Sequence, residues 1–202
     1  MSSRNFRAML EAKWSDGKFV CVGLDPDVEK MPVHLRRQSY NLRGIIVAVS
    51  NFLARIVDET KDIVCAYKPN SAFFEGIMFG REILVDTINH IHRIAPDVPI
   101  ILDAKRGDIG NTNGGYVRDT FDHLNVDAIT VHPYLGQEAM QPFLDKKDKG
   151  ILVLCRTSNK GADEFQNHGE GSLAGMLYEK VAARVASYWN TNGNCGLVVG
   201  AT

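Results

Sequence analysis

Long apolar runs are missing from this 202-residue chain, and with them any candidate for a membrane-spanning helix. The first residues, Met-Ser-Ser-Arg-Asn-Phe-Arg, lack the apolar core of a secretory signal, so a cytoplasmic protein is expected. An excess of one charge is missing too: 23 Lys and Arg stand against 24 Asp and Glu, for a formal net charge of −1. Such a balance offers no general attraction to nucleic acid or to an anionic membrane, so an anionic ligand would need a local set of donors. Cysteine is scarce. Cys21, Cys65, Cys155 and Cys195 show neither Cys-x-x-Cys spacing nor histidines at finger spacing. Three of them sit in apolar strand-like runs and are expected to be reduced, structural thiols. No Gly-x-Gly-x-x-Gly turn follows the first strand candidate, which ends Gly23-Leu24-Asp25-Pro26-Asp27. That argues against a doubly wound dinucleotide-binding sheet.

What is present is an ordinary globular composition, 45% hydrophobic and 23% charged, with apolar mass for one sizeable core. Short apolar runs at Phe19–Leu24, Ile63–Lys68, Pro99–Lys105, Ala128–His132, Ile151–Arg156 and Gly196–Ala201 read as buried parallel strands. Helical periodicity fills the intervals at Leu42–Glu59, Arg81–Ala95, Gly115–Leu124, Glu138–Leu144 and Ser172–Trp189, with a further helix at Asn5–Trp14. The alternation predicts an α/β fold with a parallel sheet, and the lack of linkers predicts a single domain over 1–202. Polar groups gather at the C-terminal ends of several strands, as a (β/α)8 TIM barrel requires: Asp25, Lys68 with Asn70, Asp103 with Lys105, His132, and Arg156 through Lys160. Only about six βα units are present, so the sequence is expected to be C-terminally incomplete.

The densest chemistry lies in Ile100-Ile101-Leu102-Asp103-Ala104-Lys105-Arg106-Gly107-Asp108, an apolar strand ending in Asp-x-Lys-x-x-Asp. Strand alternation predicts that Asp103 and Lys105 point the same way. Charges held at the end of a buried strand are costly unless they compensate one another. With Lys68 and Asp108 they form an array of two positive and two negative groups. A lysine flanked by carboxylates keeps its proton, which makes it a poor Schiff-base nucleophile but a good donor to a developing carbanion. The chemistry that fits is loss of CO2 or enolate formation beside Lys105.

Other signals carry less. His90-Ile91-His92 has a metal-like look, but residues i and i+2 of a helix do not face one another. His132 could touch a ligand or be a buried, hydrogen-bonded histidine. The glycines from Gly110 to Gly115 suit a loop-to-helix turn as well as a phosphate cradle, and Lys146-Lys147-Asp148-Lys149 reads as a solvated turn.

Residues Leu102 to Thr112 resemble the signature of the orotidine 5′-phosphate decarboxylase family, in its bacterial subgroup with extended loops. The resemblance extends to Gly23-Leu24-Asp25, Tyr67-Lys68-Pro69-Asn70, Thr130-Val131-His132-Pro133, Arg156-Thr157-Ser158-Asn159 and Val198 to Thr202. It implies a (β/α)8 barrel working as a homodimer with shared active sites. It also implies decarboxylation of orotidine 5′-monophosphate to UMP, in pyrimidine nucleotide synthesis, with no cofactor and no metal. Lys105 matches the lysine that stabilises and protonates the C6 carbanion, and Asp103 the carboxylate beside the substrate carboxylate. Asp108 and Thr112 match residues reaching into the partner subunit's site. Asp25 and Lys68 match ribose-hydroxyl contacts, Lys68 also supporting the charge array. Ser158 matches the serine facing the pyrimidine, with Thr157 its alternative. The family's phosphate-gripping segments, after strands seven and eight, have no counterpart in these residues, so this polypeptide as written is expected to be inactive. Metal-dependent sugar-phosphate relatives share Asp-x-Lys-x-x-Asp but add a glutamate near the end of strand two, where this chain has Lys68-Pro69-Asn70.

Overall fold

The fold follows from where the apolar runs can bury themselves. The computed structural model describes residues 4–36, 41–169, 171 and 175–201. They gather into two compact units. One comprises Arg4 and Ala8–Ala104, and the other Asn5–Arg7 and the chain from Lys105 onward.

In the first unit, α1 (Phe6–Ser15) leads to β1 (Val20–Leu24) and a short α2 (Val33–Arg36). The long α3 (Leu42–Thr60) starts at Asn41, whose side chain accepts the Gly44 N–H at 2.9 Å. It buries Ala48, Val49, Leu53 and Val57, one stripe at helical spacing. Next come β2 (Val64–Pro69), α4 (Ser71–Glu75) and α5 (Gly80–Ile94), whose Ile83, Leu84, Ile88 and Ile91 are buried. β1 and β2 pair in parallel, with Gly23 opposite Lys68 and Leu24 opposite Pro69. β3 (Ile101–Arg106) begins here, and isolated parallel bridges join Tyr67 to Ile100 and Asn70 to Asp103. Lys13, almost fully buried, forms an ion pair with Asp97 that holds the aspartate carboxyl below the usual carboxylate range.

β3 runs on into the second unit, where α6 (Gly110–Val117), β4 (Ala128–Val131), α7 (Gly136–Leu144), β5 (Gly150–Arg156), α8 (Asp163–Gln166), α9 (Leu177–Arg184) and β6 (Cys195–Val199) follow. The four-stranded sheet has the order β3-β4-β5-β6, and its pairing is parallel from β4 through β6. Asn5–Arg7 are anchored here too. The Phe6 N–H donates to the Asp148 carbonyl at 2.9 Å, and the Phe6 ring fills the space a side chain at Gly150 would need. A Cβ there would stand 2.2 Å from the ring.

Each of the six expected strands forms, with ends shifted by at most two residues. Two departures have physical causes. β1 is mostly exposed and β6 only partly covered, whereas β2 and β4 are buried almost throughout. β1 and β6 each stand at the end of their sheet with one neighbour. The helix expected from Gly115 starts at Gly110 and ends in a π-helical turn, Arg118–His123. Its glycines are poor helix formers. The fully buried Asn113 holds the turn in place: its side chain accepts the Asp108 N–H at 2.9 Å and donates to the carbonyls of Asp108 and of Ala139, the latter at 2.5 Å. The last helix likewise closes in a π-helical turn, Val185–Trp189, while its expected start at Ser172 lies outside the described residues. The four cysteines are free thiols, and burial pushes Cys195 up to about 11.

Candidate active site

In the first unit, the parallel register of β1, β2 and β3 brings Asp25, Lys68 and Asp103 to the same end of their strands. Lys68 Nζ lies 3.1 Å from Asp103 Oδ2. The aspartate side chain is 11% exposed and the lysine 33%, so the pair keeps a wet side at the lysine and a dry one at the carboxylate. Removing the lysine would take a charged partner from a largely buried carboxylate. Asp25 is exposed, just beyond the last paired residue of β1. Asn70 stands at the end of β2, as expected. Its side chain accepts the Ala72 N–H at 3.2 Å and caps α4.

Lys105 is exposed and sits in a left-handed conformation, φ +49°. Simple strand alternation therefore does not set the direction of its side chain. For a lysine this conformation costs about 1–2 kcal/mol, so something must hold it. The Lys105 N–H donates to Thr130 Oγ1 at 3.0 Å, and Thr130 is buried on β4. Two residues on, the His132 N–H donates to the Arg106 carbonyl at 3.0 Å, and His132 Nε2 bonds the Gly107 carbonyl at 2.8 Å. His132 thus belongs to the scaffold of the loop. A Cβ on Gly107 would stand 2.6 Å from Nε2, so the glycine is required by the ring. The Arg106 guanidinium lies over the Tyr116 ring, 5.0 Å from its centre.

Asp108 caps its own turn: its carboxylate accepts the Ile109 N–H at 2.7 Å. Thr112 is exposed on α6, beside an exposed Ile109. After β5, Thr157 is tied into its loop. Its hydroxyl accepts from Gln166 Nε2 at 2.7 Å and donates to Asn159 Oδ1 at 2.6 Å, while Gln166 Oε1 accepts its N–H at 2.8 Å. Arg156 bonds Asp163 at 2.5 Å and steadies the same loop. Ser158, next in the chain, is exposed. Thr130, Asn113 and Gln166 were not singled out by the sequence; the only available signal was Thr130's place in Thr-Val-His-Pro.

Among the described residues no three His, Cys, Asp or Glu side chains come together to hold a metal ion. His90 bonds Asp58 Oδ1 at 2.8 Å through Nε2 and accepts from Arg93 at 2.7 Å through Nδ1, which leaves His-x-His a surface network.

A family model described as "Orotidine 5'-phosphate decarboxylase / HUMPS family" matches residues 18–202. The chain belongs to this family. An orotidine 5′-phosphate decarboxylase of Azoarcus sp. (strain BH72) is 46% identical over 199 residues, spanning 98% of this chain and 70% of that protein. The solved Leishmania donovani OMP decarboxylase aligns with a TM-score of 0.83 at 39% identity, over 98% of this chain and 71% of that one. The Leishmania donovani UMP synthase aligns at 0.85 and 38%, over 99% of this chain and 40% of the longer one. As a member of the orotidine 5′-phosphate decarboxylase family, the chain has the α/β fold of its (β/α)8 barrels and carries six of the βα units.

Proposed function

We propose that this chain carries the decarboxylating residues of an enzyme that converts orotidine 5′-monophosphate to UMP, a step of pyrimidine nucleotide synthesis. The observation that carries the reading is the family's Asp-x-Lys-x-x-Asp at the end of β3, with its first aspartate held by Lys68 at 3.1 Å. Asp103 stands beside the substrate carboxylate and raises the energy of the bound ground state by repulsion. The bond between C6 and the carboxylate breaks heterolytically, CO2 departs, and the electron pair stays on C6. The Lys105 ammonium stabilises that carbanion and gives it a proton, which the lysine regains from water. Electrons and atoms balance without an oxidant, a metal or a cofactor.

Lys68 holds Asp103 in an ion pair and, with Asp25, contacts the ribose hydroxyls. Ser158 faces the pyrimidine. In support, its neighbour Thr157 already has its hydroxyl engaged by Gln166 and Asn159, whereas Ser158 is exposed. Asp108 and Thr112 serve the site of a second copy in a homodimer, a reading supported by the exposure of Thr112 and Ile109. Free thiols at all four cysteines suit a cytoplasmic enzyme, and the chain is read as one domain.

The test follows orotidine monophosphate absorbance in the presence of a chelator. Turnover should persist, and Lys105→Ala should lower kcat by about a thousandfold or more with the circular dichroism unchanged. Loss of activity to the chelator would move the chain to the metal-dependent side of its family. Unchanged turnover in Lys105→Ala would end the proposed chemistry.

A further inference from the structure

We infer that Thr130 is a positioning residue for Lys105, acting through the lysine's main chain. The inference rests on the function proposed above only for its kinetic consequence. The geometry stands by itself. Lys105 has a φ of +49°, which an L-residue rarely adopts, and its N–H is bonded to the Thr130 hydroxyl at 3.0 Å. Thr130 is 3% exposed and sits on β4, so it is poorly placed to touch a substrate and well placed to fix a backbone.

The next two residues are gripped from the same strand end. The His132 N–H holds the Arg106 carbonyl at 3.0 Å, and the His132 ring holds the Gly107 carbonyl at 2.8 Å. Three consecutive peptide units, 105 to 107, are therefore clamped by residues 130 and 132, which share one face of β4 and its extension. The clamp sets where the Lys105 Cα–Cβ bond points. Without the Thr130 acceptor, the Lys105 N–H loses its partner and φ can relax towards the ordinary negative region. Such a change swings the ammonium away from its position without altering its charge. Catalysis is sensitive to displacement of this size, since a proton donor must stand within hydrogen-bond reach of the atom it serves.

The test compares Thr130→Val, which keeps the shape and removes the acceptor, with Thr130→Ser, which keeps it. In the full chain, Thr130→Val should lower kcat by about tenfold or more while KM for orotidine monophosphate stays within about threefold. Thr130→Ser should recover most of kcat. Independently of substrate, hydrogen exchange of the Lys105 amide, read by NMR, should quicken by about tenfold or more in Thr130→Val and stay slow in Thr130→Ser. Unchanged amide exchange in Thr130→Val overturns the inference, whatever the kinetics. A fall in kcat that Thr130→Ser does not rescue overturns it as well. If the unmodified chain does not turn over orotidine monophosphate, amide exchange alone decides the clamp.

Discussion

Gly107 and His132 form a pair in which neither residue is free to change alone. The ring nitrogen lies 2.6 Å from where a Cβ on Gly107 would stand, and the same nitrogen is bonded to the Gly107 carbonyl. Gly107→Ala should therefore cost about 1–3 kcal/mol in urea unfolding, because either the ring or the loop must shift. In a His132→Ala background the same change should cost clearly less, and a double-mutant cycle measures the difference. Equal costs in the two backgrounds would show that the contact does not constrain the loop. At this scale the sequence was informative about residue type and silent about conformation. Asp-x-Lys-x-x-Asp is visible in the letters, and so is the family resemblance it carries. The left-handed backbone at Lys105 is invisible, because nothing in a lysine's chemistry announces a positive φ; the hydroxyl that bonds its N–H, on Thr130, is twenty-five residues away. Asn70 shows the same limit. An asparagine at a strand end looks the same whether it serves a ligand or caps a helix.

Among the elements, α6 is the one whose existence depends on a side chain rather than on propensity. Five of its eight residues are glycine or asparagine, and Asn113 makes three hydrogen bonds from a fully buried position. Asn113→Ala should lower stability by about 2–3 kcal/mol, since it strands the Asp108 and Ala139 main-chain groups. Thermal unfolding with a matched Thr112→Ala control separates this from a surface effect; an Asn113→Ala cost no larger than the control's would show the helix holds without its brace. This also explains why the helix start was misplaced. Periodicity marks Val117 and Phe121 but has no signal for a polar residue that replaces the core. The strands were easier to read. Runs of Val, Ile and Leu place β2, β4 and β5 to within a residue or so, because apolar continuity depends only on burial. The same reasoning overstated β1 and β6, where apolar letters meet solvent at Val20 and Val199.

At the scale of the whole molecule, the proposed homodimer with shared sites makes a prediction about mixtures. Lys105→Ala and Asp108→Ala should each be inactive alone. Unfolded together and refolded, they should regain about a quarter of wild-type activity, as random pairing leaves one intact site in half of the two-fold dimers. No recovery, with dimers present by light scattering, would place Asp108 in its own subunit's chemistry. Fold class and family were both legible before any coordinates, because six βα repeats and a specific strand-end motif span nearly the whole chain. The division into two compact units was not, since no linker marks it. One detail of that division bears on how the protein is made. Phe6 and Arg7 are synthesised well before their partners, the carbonyls of Asp148 and Gly193. At ordinary translation speeds the opening turn of α1 waits on the order of ten seconds for the strand that will cover it. Through that interval this segment of the nascent chain stays uncovered and open to chaperones, until translation has passed β5.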